Sequence, residues 1–437
     1  MKACVRCRCQ RIRCVSDEND PEGWCVPCKG VWPTLSKKVI HRLPCVRYKC
    51  TEIVLYRPYV RGGSLNAIRR REEPSMTGLD TQEWASKEIK TIDITLGICE
   101  EPVALKVCKF TPQDGKVLVR TWLEGSVDKD MPPYALADMR STACWFREYV
   151  TRNCLQPTTL GLALQNSDPL IQETYKAAIQ HYYRLQSFQV TVNSPRAIFL
   201  HNLFKLWFAN RHMVGSSWIC GKEILEIDPG SEVEQHPLSK RVRTPRLVVA
   251  QFDNVNILEI LTPLRVDVLH QLEDMLGRNN IQDWFTVYVA VFILLHEVSV
   301  SSKDRAEDAI ANSAESRYSL PHFVEELQMG ANIILVHWHY YRRQANPLTI
   351  TDQLDSPLSE LTPEEFDFVV KSYKFMEKRW TEMKILLEQK NWEHEYYWVS
   401  QMFDTNMWAP KPGFATINKE DTTDERKTYV SEVYTAS

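Results

Sequence analysis

The chain has 437 residues, 44% of them hydrophobic and 25% charged, which excludes a collagen-like, purely coiled-coil or wholly disordered chain and leaves room for about two or three domains. The net charge of -3 hides a division: residues 1–71 carry sixteen bases against five acids, or +11, and the remainder carries -14. A basic head on an acidic body is the pattern of a chain whose head meets a polyanion. No uninterrupted apolar run reaches the roughly 18 residues of a membrane helix, and Met1-Lys2-Ala3-Cys4 leaves no room for an apolar leader. An intracellular protein without a membrane partner is expected.

Cysteine is as unevenly spread as charge. Cys4, Cys7, Cys9, Cys14, Cys25, Cys28, Cys45 and Cys50 all fall in the first fifty residues. The spacing is Cys4-x2-Cys7-x6-Cys14, then Cys25-x2-Cys28, with Cys45 following after sixteen residues. Two Cys-x2-Cys pairs have zinc-ligand spacing, because thiolates three apart at a turn or helix start converge on one tetrahedral ion. So short and apolar-poor a segment has no core of its own, and metal would supply its folding energy. Cys99, Cys108, Cys144, Cys154 and Cys220 lie among apolar neighbours and read as small core residues.

The run Ala3-Cys4-Val5-Arg6-Cys7-Arg8, continuing through Gln10-Arg11-Ile12-Arg13-Cys14, resembles the fungal binuclear zinc-cluster (Zn2Cys6) regulators. The resemblance implies two zinc ions held by Cys4, Cys7, Cys14, Cys25, Cys28 and Cys45, with Cys4 and Cys25 bridging both metals. It further implies two helix-plus-strand halves related by a pseudo-twofold. The family's usual gap before the sixth cysteine is shorter than the sixteen residues here. A looped-out insertion is tolerable, since closure entropy grows slowly with length. Cys50 remains a rival for the sixth position, and Cys9 reads as a bystander. Double-stranded DNA is the implied partner and the nucleus the implied location. Arg11, four residues after the second cysteine where the family has lysine, would read guanine, since arginine donates bidentately to O6 and N7. Arg8 and Arg13 would hold phosphate, positioning without specifying.

Beyond the cysteines, Arg61-Gly62-Gly63-Ser64 and Arg69-Arg70-Arg71 mark a basic linker over 51–78. No run of heptads follows the cluster, so dimerisation through a coiled coil is unsupported. Monomeric binding and dimerisation through the body both stay open. Period-two alternation over 89–96, 103–110 and 115–122 predicts a short strand-rich lobe at 79–125. Helical periodicity then runs over 134–149, 170–185, 195–212, 266–276, 284–298, 320–343 and 363–389, the last opened by Thr362-Pro363-Glu364-Glu365, where Thr362 can cap and Glu365 close a capping box. A large, mainly helical regulatory domain is expected over 126–437. With the zinc domain at 1–50, the fold class is multidomain.

The body shows no catalytic constellation. His296-Glu297 lacks the second histidine of a metalloprotease helix. His337 and His339, two apart on a helix, face different ways. The aromatic residues Trp392, Tyr396, Tyr397, Trp398 and Phe403 have helical spacing and read as packing. The acidic-apolar stretches 352–368 and 419–430 are candidates for recruiting transcription machinery. The leading expectation is therefore a non-enzymatic, sequence-specific DNA-binding transcription regulator that reads G/C-rich triplets. The alternative is a zinc-stabilised protein-interaction scaffold.

Overall fold

A computed structural model describes residues 2–20, 23–31, 45–57, 84–111, 119–120, 129–130, 132–187, 194–227, 242–278, 280–311, 314–342, 358–404 and 408. The basic linker from residue 58 onward and the acidic stretch at 419–430 lie outside the described residues.

Two short helices, α1 (Val5–Cys9) and α2 (Val26–Lys29), carry the first two cysteine pairs. Then come β1 (Trp84–Thr95), β2 (Val103–Phe110), β3 (Val119–Arg120), β4 (Lys129–Asp130) and β5 (Tyr134–Leu136). Helices α3 (Met139–Asn153), α4 (Pro157–Ala163), α5 (Pro169–Ser187) and α6 (Pro195–Arg211) precede β6 (Trp218–Ile219) and β7 (Val242–Arg243). The remaining helices are α7 (Arg246–Asn256), α8 (Thr262–Arg278), α9 (Trp284–Ala311), α10 (Pro321–Tyr341), α11 (Pro363–Lys378), α12 (Trp380–Glu388) and α13 (Tyr396–Val399).

The protein is thus mostly helical, with a strand lobe and a cysteine-rich amino-terminal module. The main sheet has the order β5-β2-β1-β6-β7, with every pair antiparallel. Ile92 pairs with Leu105 and Ile94 with Val103, and all four are buried on one face. The sheet draws three strands from beyond residue 125, so it is not confined to the 79–125 segment. Of the expected strand 115–122, the described part is Val119–Arg120, which pairs with Lys129–Asp130.

Sequence periodicity and structure differ at three places in the helical part. The stretch 134–149 opens as strand, because β5 pairs with β2 and α3 starts only where Asp138 caps it through Arg140 and Ser141 N–H. The stretch 363–389 breaks at Arg379 into α11 and α12. Thr362 and Glu365 do form the expected capping box of α11. The third is 266–276, which is only part of a longer helical run: α7 leads into α8 past Pro263, a residue that lacks the donor a helix interior needs. A π-helical turn at Ile257–Leu261 changes the bonding register just before it, and the Thr262 hydroxyl donates to Ile257 O at 2.7 Å.

Helix α9 is the axis of the body. Its residues from Trp284 to Ser299 are all buried, as a helix apolar on every face requires. Two helical stretches, Arg246–Arg278 and Ile281–Ala311, are long and apolar enough to cross a membrane, but the apolar window of the second is 94% buried inside this fold. Several of the polar residues within α9 are bonded. Glu297 accepts from Arg211 Nε and Nη2, from Trp207 Nε1 and from the Tyr175 hydroxyl, at 2.7 to 3.1 Å. His181 Nε2 lies 2.9 Å from Thr286 Oγ1 and its Nδ1 lies 2.7 Å from Glu365 Oε1. Thr286 is 0% exposed and His181 3% exposed, so this Thr–His–Glu chain ties α5, α9 and α11 together out of reach of solvent. The 392–403 aromatics belong to the same core. His337 and His339 are buried as well. Of the five scattered cysteines, Cys108 and Cys154 are buried, whereas Cys144 and Cys220 are exposed, contrary to the core reading.

Two tests follow from this buried polar chemistry. Arg211→Met should destabilise the fold by about 3–5 kcal/mol in urea unfolding, because Glu297 would keep its charge without a partner. Adding Glu297→Gln should recover part of that loss. Burial pushes the imidazoles of His201, His212 and His337 down to about 4 each, from an ordinary value near 6.5. The unfolded chain therefore binds more protons between these values. Stability should be full above about 6.5 and fall as the pH drops through that window, with a shallower fall in His212→Gln.

Candidate metal centre and nucleic-acid interface

The cysteine module is built from two halves that repeat the same local geometry. Cys4 and Cys25 precede α1 and α2 in nearly identical extended conformations, φ -67°, ψ 160° and φ -64°, ψ 152°. Cys4 N–H points at Cys14 Sγ at 3.5 Å, and Cys25 N–H at Cys45 Sγ at 3.4 Å. The halves then cross. Val5 N–H donates to Val46 O, and Val26 N–H to Val15 O, both at 2.8 Å. Residues 4, 5, 7, 14 and 15 of one half thereby correspond to 25, 26, 28, 45 and 46 of the other, a pseudo-twofold written in backbone hydrogen bonds.

The sulfurs of Cys4, Cys7, Cys25 and Cys28 lie within 4.8 Å of one another, and all four residues are buried. The Cys4–Cys25, Cys4–Cys28 and Cys7–Cys25 separations are 3.9, 3.7 and 3.7 Å. A tetrahedron with zinc–sulfur bonds of about 2.3 Å has edges of about 3.8 Å. The donor set is all sulfur, the spacing is that of a tetrahedral edge, and the site excludes water. These residues fit zinc.

The thiols shift one another strongly. Cys4 is held far below the ordinary thiol range by hydrogen bonds from Cys28 and Cys45. Cys7 is pushed up by burial and by its contact with Cys4, and Cys28 by its contact with Cys4. Cys45 is raised by its contacts with Cys28 and Cys4. Arg6 is 4% exposed, donates through Nη1 to Pro27 O at 2.8 Å, and pulls against the rise at Cys28. A cation inside the cluster would let these thiols ionise together. The role of Arg6, a strut between α1 and α2, was not legible from spacing.

The module places Cys45 and Cys50 differently. Cys45 Sγ sits in the cluster at the pseudo-twofold counterpart of Cys14. Cys50 lies in the main core of the body, beside Glu273, with its thiol pushed up by burial. Cys9 is exposed.

The basic loop follows directly from the end of α1. Arg11 N–H bonds to Arg8 O at 3.1 Å and Ile12 N–H to Cys7 O at 3.0 Å, which is a Schellman ending. Its left-handed position, usually glycine, is held by Arg11 at φ 53°. An L-residue there costs about 1–2 kcal/mol. Arg11 and Arg13 are exposed. Arg8 is not: its side chain is 33% exposed, and Nη1 lies 3.2 Å from Glu273 Oε1 on α8. No spacing in the sequence links positions 8 and 273.

The module is strapped to the body by residues 45–57. Val46, Cys50, Ile53 and Leu55 enter the main core, as does Val5. Tyr56 and Thr262 share a hydrogen bond of 3.1 Å at the end of the π-helical turn. Ile53 packs over Gly330 of α10, where an added Cβ would stand 2.7 Å from Ile53 Cγ2.

A family model described as KpeA transcription factor matches residues 65–402. The match begins after the cysteine module. No curated protein and no solved structure shows a significant match.

Serine substitutions separate the two candidate sixth ligands. Cys45→Ser should lower bound zinc per chain in metal analysis. Cys50→Ser should leave zinc content unchanged and lower the unfolding midpoint of the body, since it puts a hydroxyl into an apolar site.

Proposed function

The chain belongs to the KpeA transcription factor family, and from that premise we propose that this regulator acts by binding duplex DNA through a binuclear zinc cluster, in the nucleus. Cys4, Cys7, Cys14, Cys25, Cys28 and Cys45 would hold two zinc ions, with Cys4 and Cys25 shared between them. Bound zinc supplies the folding energy and fixes the relative pose of α1 and α2. The observation that carries the reading is the pseudo-twofold. Two equivalent N–H···S hydrogen bonds seat Cys14 and Cys45 behind the close-set four.

Six thiolates around two dications leave two negative charges, and Arg6 offsets part of them from within. Arg11 and Arg13 face outward. Arg11 would read guanine through its two parallel donors, with Arg8 and Arg13 on phosphate. Strain supports the assignment of Arg11. A left-handed helix ending filled by arginine instead of glycine gives up stability for no packing gain, and such strain concentrates at functional positions. The helical body, the matched part of the chain, would carry the regulatory function.

The test is binding of the full zinc-loaded chain to duplexes selected from a random pool. A short G/C-rich consensus is expected, with affinity falling steeply with salt. Arg11→Gly should keep zinc and unfold no earlier than wild type, because it relieves φ 53°, yet lose roughly 1–3 kcal/mol of discrimination between the consensus and a mismatched duplex. Arg13→Ala should weaken all duplexes alike. Zinc uptake without duplex affinity would favour a protein-interaction scaffold.

A further inference from the structure

The arginines of the ligand loop are not equally available. Arg11 and Arg13 are exposed, while Arg8, the first basic residue after the Cys4–Cys7 pair, is turned back onto the body. Its Nη1 lies 3.2 Å from Glu273 Oε1, and the Glu273 side chain is 18% exposed. The other oxygen of the same carboxylate, Oε2, accepts from Thr51 N–H in the strap at 3.4 Å. Glu273 therefore holds two separate pieces of the module, the ligand loop and the segment that follows the last cysteines. Further contacts fix this pose. Arg265 Nη1 on α8 donates to Ile53 O at 3.2 Å, and His337 on α10 lies 3.3 Å from Tyr48 O. Glu273 is thus an acid that the helical body holds against the basic loop.

We propose that Glu273 is an intramolecular competitor for the phosphate-binding guanidinium of Arg8, so that the docked body holds the zinc module below its full affinity for DNA. The inference rests on the DNA-binding reading above. A guanidinium paired with a carboxylate has already spent part of its charge and hydrogen-bonding capacity, and the carboxylate brings a like charge towards the phosphates. Binding to the duplex must therefore either break the pair or accept a phosphate beside Glu273. Either outcome lowers affinity. Anything that draws α8 away from the module would release the restraint, which couples the body to DNA through one defined contact.

Glu273→Gln tests this in the full zinc-loaded chain, because glutamine keeps an acceptor for Thr51 N–H and removes the charge. Binding to the selected duplex should tighten by about two- to fivefold, the range that a partly exposed ion pair converts to. In an Arg8→Gln background the same change should tighten binding clearly less, since the competed group is gone and only the like-charge effect on the phosphates remains. Equal affinities of Glu273→Gln and wild type would overturn the proposal. So would an equal gain in both backgrounds, which would mean general charge relief instead of competition for Arg8. Zinc content and unfolding midpoint, measured alongside, show whether each variant is folded. If no variant, wild type included, binds any duplex, it is the DNA-binding reading that fails.

Discussion

Everything distinctive about the amino-terminal module comes from four buried sulfurs held within 4.8 Å of one another. Cys4 and Cys25, each just ahead of a short helix, turn their N–H groups onto Cys14 and Cys45. Cys7 and Cys28 arrive one helical turn later. A few short helical residues would not persist alone, since helix nucleation is unfavourable at that length. Burying thiols side by side is also unfavourable until a cation neutralises them. The geometry is therefore that of a unit in which a bound cation could stabilise the clustered thiols, with the exposed basic loop leading directly from α1.

The body solves a different problem. It buries α9 on all sides and partners Thr286, His296 and Glu297 of that helix with Arg211, Tyr175, Trp207 and His181. Module and body are not independent beads. Val5, Val46, Cys50, Ile53 and Leu55 continue the body's core into the module, and Gly330 gives the strap its close approach to α10. A transcription factor built this way has its cysteine module and its helical domain in direct contact, and Glu273 is where that contact meets the basic loop.

Much of the architecture was readable from one chain. Helical periodicity placed α5, α6 and α10 to within a few residues, and Thr362 and Glu365 announced the start of α11. The misreadings have physical causes. Residues 134–136 are apolar enough for either helix or strand, and pairing with β2 decided for strand. Periodicity showed only 266–276 of a longer helical run, which begins at Arg246 and passes Pro263 by way of a π-helical turn that no periodic pattern announces. Cys144 and Cys220 look like core thiols from their neighbours but face solvent, because local hydrophobicity does not say which way a side chain points.

Cysteine spacing and the basic run by themselves determined that the head of this chain carries clustered thiols at metal-ligand spacing and clustered positive charge, since both are local patterns set within a few residues. Tertiary structure alone decided the rest. It put Cys45 with the cluster and Cys50 in the core, made Arg6 a buried strut, and brought Glu273 to Arg8 across 265 residues of chain. Those outcomes depend on which surfaces meet after folding. A linear sequence records the periodicity of each surface but not the partner it will find.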